Sequence, residues 1–128
     1  MKIVAAAVII KDNRVLITRR ALSESFAGKW EFPGGKLEGT ETPEECLRRE
    51  INEELGIDTK VKTFFLENIY HYTNSSIRLL AYITDIVNGE ISLKVHDKYE
   101  WVRPSQLLNY QLLSADIPIA KKLMEEFL

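Results

Sequence analysis

The sequence predicts a mixed α/β (α+β) fold, organised as one domain over residues 1–128. Three observations carry that expectation. The chain is long enough to bury one core and too short for two. Runs of β-branched and aromatic residues are interleaved with helical stretches instead of being segregated from them. Finally, 45% hydrophobic and 28% charged residues are ordinary values for a globular chain, and no linker, repeat or low-complexity tract breaks it.

Taken in order, Ile3–Ile10 and Arg14–Arg20 are apolar runs flanking the polar turn Lys11-Asp12-Asn13, and read as a hairpin. Turn formers follow, then Trp30-Glu31-Phe32 and the Pro33-Gly34-Gly35 punctuation. Thr42 to Leu55 carries the clearest helix signal. Thr42 is a good N-cap, Pro43 suits the first helical position, Glu45 completes a capping box, and Gly56 sits where a left-handed terminal residue belongs. Val61–Tyr72, Ile77–Val87 and Tyr99–Val102 read as strands. Asn88-Gly89, between Val87 and Ile91, reads as a hairpin turn. A short helix after Pro104 and a terminal helix from Ile117 to Phe127 complete the chain.

Charge and composition exclude several classes of function. A formal net charge of −2 gives no field for holding long nucleic acid. The longest apolar run, Ile3–Ile10, is far short of the roughly 20 residues a membrane helix needs, and no small-residue cleavage site follows it. The single cysteine, Cys46, precludes an internal disulfide and fits a reducing compartment. The expected location is the cytoplasm, with no membrane partner, as a monomer or homodimer.

The chemistry is concentrated on the Thr42–Leu55 helix. Glu50, Glu53 and Glu54 fall within one sector of about 100°, beside the core stripe of Leu47, Ile51 and Leu55. Like charges so spaced repel, and Glu53 and Glu54 lie near a helix C-terminus, where the macrodipole disfavours anions. The helix loses stability unless a cation sits against it, and hard oxygen ligands suit Mg²⁺ or Mn²⁺. The ordinary alternative is a solvated face, with Arg49 paired to Glu53. A di-iron site would need Glu-x-x-His pairs, and zinc would need a ligand spacing that Cys46, His71 and His96 lack. Upstream, Pro33-Gly34-Gly35-Lys36 offers bare backbone for close approach and one cation for a phosphate, without the residues of a Walker P-loop.

Together these pieces match a known pattern. Gly35, five residues, Glu41, seven residues, then Arg49-Glu50-Ile51-Asn52-Glu53-Glu54-Leu55-Gly56-Ile57 resembles the complete Nudix box. A chance match at a given start is on the order of one in a billion from residue frequencies. Trp30-Glu31-Phe32-Pro33-Gly34-Gly35-Lys36, the N-terminal strand pair and the terminal helix resemble MutT-type members. One departure is Thr40, where many members have glycine before the first box glutamate.

The resemblance implies a mixed β-sheet sandwiched between helices, and a Mg²⁺- or Mn²⁺-dependent hydrolase acting on a nucleoside triphosphate to give monophosphate and pyrophosphate. It implies Glu50, Glu53 and Glu54 as metal ligands, joined by a Gly34 or Gly35 carbonyl, with Arg49 orienting a carboxylate. Glu53, Glu50 or Glu100 would accept the proton of water, Glu100 standing where some MutT-like members place a metal-site glutamate. Arg20, Glu31, Gly34 and Lys36 would face the substrate. The ordinary alternatives are a surface strand residue for Glu100, an edge charge for Arg20 and an inter-strand ion pair for Glu31.

Asp116 falls where MutT proteins acting on oxidised guanine nucleotides carry a base-reading asparagine. The Ala115-Asp116-Ile117-Pro118 version is similar to CTP pyrophosphohydrolases, which take cytosine and modified pyrimidine nucleotides. An ionised aspartate can accept from a cytosine amino group but cannot donate, and Asp116 is equally an N-cap for the last helix. Tyr72 and Tyr82 are candidates to stack a base. Oxidised-purine hydrolysis, ADP-ribose hydrolysis and a non-catalytic Nudix-fold binding module remain as alternatives.

Overall fold

The computed structural model describes residues 1–127. The chain runs β1 (Lys2–Lys11), β2 (Arg14–Arg20), β3 (Trp30–Glu31), β4 (Gly34–Lys36), α1 (Pro43–Leu55), β5 (Asp58–His71), β6 (Ser76–Asn88), β7 (His96–Val102) and α2 (Ile117–Glu126). Two 3-10 turns, Pro104–Asn109 and Ser114–Asp116, lead into α2.

The β1–β2 hairpin forms as its sequence requires. Asp12 and Asn13 both take positive φ, 51° and 61°, the conformation of a two-residue turn whose twist matches the flanking strands. β1 then serves two half-sheets. On one side it pairs antiparallel with β4 and parallel with β6, which pairs antiparallel with β5. On the other, β2 leaves β1 after the hairpin and pairs antiparallel with β3 and β7. The two half-sheets share only the hairpin end, so a cleft opens between them.

Alternation along β1 sends its side chains into two cores. Ala5, Ala7 and Ile9 meet Cys46, Leu47, Ile51 and Leu55 of α1, while Ala6 and Val8 join Ile119, Ala120 and Leu123 of α2. The sheet is thus sandwiched between the helices. Each fully buried Leu or Ile contributes about 1.5–3 kcal/mol relative to leaving it in water. α1 starts as its sequence dictates: Thr42 Oγ1 accepts from Glu45 N at 3.1 Å and Glu45 Oε1 accepts from Thr42 N at 2.8 Å. It ends at Gly56 in the left-handed region, φ 70°.

Two local expectations are corrected. The segment after Asn88-Gly89 does not return as a hairpin strand. Ser92 N donates to Leu55 O and Lys94 N to Glu54 O, so it runs across the C-terminal end of α1 and satisfies carbonyls that the helix leaves open. Ile91 and Leu93 pack on the α1 core from there. The second correction is Asp116. It precedes α2, but its side chain makes no capping bond and is buried, with Oδ2 accepting from Phe32 N at 2.9 Å. β5 and β7 each begin three residues before their sequence signals. No described helix is long and apolar enough to cross a membrane.

Candidate active site

Helix α1 presents its glutamates to two environments. The Glu50 and Glu54 side chains, four residues apart, are only 17% and 15% exposed, whereas Glu53 is 58% exposed. Arg49 organises them. It reaches Glu50 Oε1 at 2.9 Å and Glu53 Oε2 at 3.4 Å. Its other donors grip Glu41 at 2.6 and 3.1 Å and the Lys36 carbonyl at 3.3 Å. One guanidinium therefore locks the β4–α1 loop to the middle of the helix. That contact holds the Glu41 carboxyl down at about 2 and raises Arg49 in turn.

Gly35 is required by the same geometry. A Cβ there would stand 2.6 and 2.7 Å from the two Glu50 carboxylate oxygens, so the carboxylate lies against bare main chain. A Cβ on neighbouring Gly34 would overlap the Ala5 carbonyl across the β1–β4 pair. The Cys46 thiol lies 3.5 Å from the Gly35 carbonyl and 3.4 Å from that of Lys36. The Lys36 side chain is exposed beside them.

Glu54 has no such cation. Burial first, then the charges of Glu50 and Glu31, push its carboxyl up to about 9. The Glu50–Glu54 site is therefore short of positive charge. Among the described residues no three His, Cys, Asp or Glu side chains already form a cage for an ion. A hard divalent ion needs none, since Mg²⁺ typically keeps several waters and takes one or two carboxylates together with substrate phosphates. The donor set fits such an ion.

The opposite wall comes from β2, β3 and β7. Arg20 Nη1 donates to both Glu31 oxygens at 3.1 Å, and its Nε donates to the Ser25 carbonyl at 2.6 Å. His96 Nε2 is 2.8 Å from Glu31 Oε2 and 3.9 Å from Glu54 Oε2. Both Glu31 oxygens are thus engaged by the protein, joining the ion-pair role foreseen for it to a place in the site. His96 was not foreseen as a site residue. Its spacing in the sequence gives no signal, and the strand carrying it was expected to begin only at Tyr99.

A NUDIX domain model matches residues 1–127 of this chain. The chain belongs to the Nudix family. It is similar to the CTP pyrophosphohydrolase of Escherichia coli K12, 34% identical, covering 94% of this chain and 90% of that protein. It is equally similar, 34% identical with 88% of each covered, to the 8-oxo-dGTP diphosphatase of the same organism. The crystal structure of a MutT protein from Methanosarcina mazei Go1 superposes with a TM-score of 0.87 at 25% identity, covering 98% of this chain and 94% of that one.

In this Nudix chain the remaining expected residues separate. Glu100 is not brought to the glutamates. Strand alternation places it on the face of Val102, which belongs to the α2 core, while Trp101 turns toward α1; the Glu100 carboxylate lies 3.5 Å from Lys98 Nζ. His96 is the β7 residue that reaches the cluster instead, in register with Arg20 after a bulge.

Asp116 is buried against the Phe32 backbone, near enough to Glu31 and Arg20 to feel their charges. Burial pushes its carboxyl up to about 8 against the lowering effect of the Phe32 N–H. That shift favours the protonated form, which can donate as well as accept. Tyr72 is close enough to feel the charge of Asp116 and has Tyr70 and Phe26 rings at 4.8 and 6.2 Å. Tyr82 instead packs edge-on to Phe64 at 5.5 Å, against the α1 core.

Proposed function

We propose that this Nudix hydrolase is a Mg²⁺-dependent nucleoside triphosphate pyrophosphohydrolase that converts a cytosine or modified (d)NTP to its monophosphate and pyrophosphate. The observation that carries the reading is the division of the cleft. The α1 carboxylates line one side, Arg20, Glu31 and His96 stand opposite, and buried Asp116 lies near enough to Arg20, Glu31 and Tyr72 to interact with them electrostatically. That arrangement suits a triphosphate with its base. The names of the similar enzymes agree with a nucleotide substrate.

Each protein group has a distinct task. Glu50 and Glu54, with Glu53 and the Gly35 carbonyl, would hold the divalent ion, preferably Mg²⁺ and alternatively Mn²⁺. When bound, such an ion supplies charge neutralisation on phosphoryl oxygens and lowers the pKa of water. Glu53 is open to solvent on the helix face and is the carboxylate assigned to accept the proton of the attacking water. Arg49 orients Glu50 and Glu53. Gly34 keeps the backbone close to β1, and Lys36 and Arg20 neutralise phosphate charge. The attack falls on the β-phosphorus, so hydrolysis in ¹⁸O-water should label the pyrophosphate; label in the monophosphate would place it on the α-phosphorus.

A second reading, hydrolysis of oxidised purine nucleotides, is favoured by the burial of Asp116, which raises its carboxyl toward the neutral form. A neutral carboxyl donates where asparagine would, so Asp116 can imitate the asparagine of the enzymes that act on oxidised guanine. The substitution Asp116→Asn separates the readings. If substrate draws Asp116 into its ionised form to accept from a cytosine amino group, the CTP/UTP ratio of kcat/KM should fall about tenfold to a hundredfold, the effect of one charged hydrogen bond. If it donates to a purine edge, that ratio should stay level and turnover of 8-oxo-dGTP should be retained.

A further inference from the structure

Arg20 is held in a way that leaves one arm of its guanidinium unused. Nε is fixed by the Ser25 carbonyl at 2.6 Å and Nη1 by both oxygens of Glu31 at 3.1 Å, while Nη2 has no protein partner among the described residues. A guanidinium is planar, so fixing two of its nitrogens fixes the direction of the third. The orientation of Arg20 then depends on what holds Glu31.

That group is His96. Its side chain is 2% exposed and its Nε2 lies 2.8 Å from Glu31 Oε2. Its other nitrogen, Nδ1, is buried without a partner among the described residues. A carboxylate paired to arginine can only accept, so Nε2 carries the proton and donates it. The same Nε2 stands 3.9 Å from Glu54 on α1, between the two carboxylates. A buried imidazole with one nitrogen unsatisfied carries a desolvation cost that an apolar side chain would avoid. The compensating contacts are those with Glu31 and Glu54.

We propose that His96 is a positioning residue: through Glu31 it aims the free Nη2 of Arg20 at a substrate phosphate, and it sets the β2–β3 wall at a fixed distance from Glu54. This rests on the reading of the cleft as a nucleoside triphosphate site, and it assigns His96 no contact with substrate.

Three variants test it. His96→Leu removes the donor and keeps an apolar volume; His96→Gln places an amide N–H at similar reach; Arg20→Ala removes the aimed group. Binding of a non-hydrolysable nucleoside triphosphate is measured by calorimetry alongside Mg²⁺-dependent turnover, with melting temperatures recorded. His96→Leu should weaken nucleotide binding and raise KM about tenfold with a smaller change in kcat, and His96→Gln should restore most of the loss. In the Arg20→Ala background His96→Leu should cost almost nothing further, since both act through one contact. Glu31→Gln, which keeps side-chain shape, should reproduce the His96→Leu defect if that variant folds poorly. Losses that multiply in the double variant, or a His96→Gln protein as impaired as His96→Leu, would overturn the proposal. Wild-type protein that turns over no triphosphate would defeat the functional reading instead, and the calorimetric cycle would still decide the role of His96.

Discussion

At the scale of single residues, the box glutamates differ more in environment than their shared sector suggests. Glu53 pairs with Arg49, and a pair this exposed contributes at most about 1 kcal/mol to stability. Glu53→Gln should therefore lower kcat at least about a hundredfold while leaving the melting temperature nearly unchanged, as read from steady-state kinetics and a thermal melt. A large loss of stability would instead make Glu53 a structural group. Asp116 gives the converse case. Its carboxyl lies near 8 in the fold, against about 3.9 when unfolded, so between these values the folded state keeps a proton that the unfolded state has lost. Stability must fall as pH rises through that window and level off above it. Asp116→Asn, which cannot ionise, should lack this slope, and melting curves at pH 5 and pH 8 should show the variant gaining relative to wild type. The aspartate itself was legible in the sequence, but its protonation was not. Ionisation depends on burial beneath the Phe32 amide, 84 residues away, which no local pattern announces.

At the scale of elements, α1 was readable almost to the residue because every one of its signals is local: Thr42, Pro43, Glu45, the apolar stripe and Gly56. The segment after β6 was misread because Asn88-Gly89 carries a hairpin signal while the tertiary structure offers a better partner, the open carbonyls of Leu55 and Glu54. Glu100 is turned onto the face of Val102 for a related reason, since its face is fixed by register with β2 and not by its position before Trp101. The β4 glycines allow a sharp test of element against site. Gly34→Ala places a methyl group into the backbone of β1, which cannot yield without separating the strands, so it should destabilise the fold broadly. Gly35→Ala meets only the end of the Glu50 side chain, which can swing away. It should lose metal-dependent activity with a much smaller shift in melting temperature. Equal destabilisation by the two substitutions would contradict this account of Gly35.

At the scale of the whole molecule, composition and interleaved elements announced a mixed α/β class, and the resemblance to the Nudix box implied a mixed sheet between helices. The parallel pairing of β1 with β6, and the divergence of two half-sheets from one hairpin, are long-range facts that periodicity does not encode. That divergence brings Arg20, Glu31 and His96 opposite the glutamates of α1. The central claim is that the resulting cleft performs metal-dependent cleavage of a nucleoside triphosphate. The most direct measurement is pyrophosphate release from a panel of canonical and oxidised (d)NTPs by EDTA-treated protein, before and after addition of Mg²⁺. The account predicts no turnover without metal, and with it pyrophosphate and monophosphate in equal amounts from at least one cytosine or modified nucleotide. Full activity without added metal, or orthophosphate as the product, would contradict it.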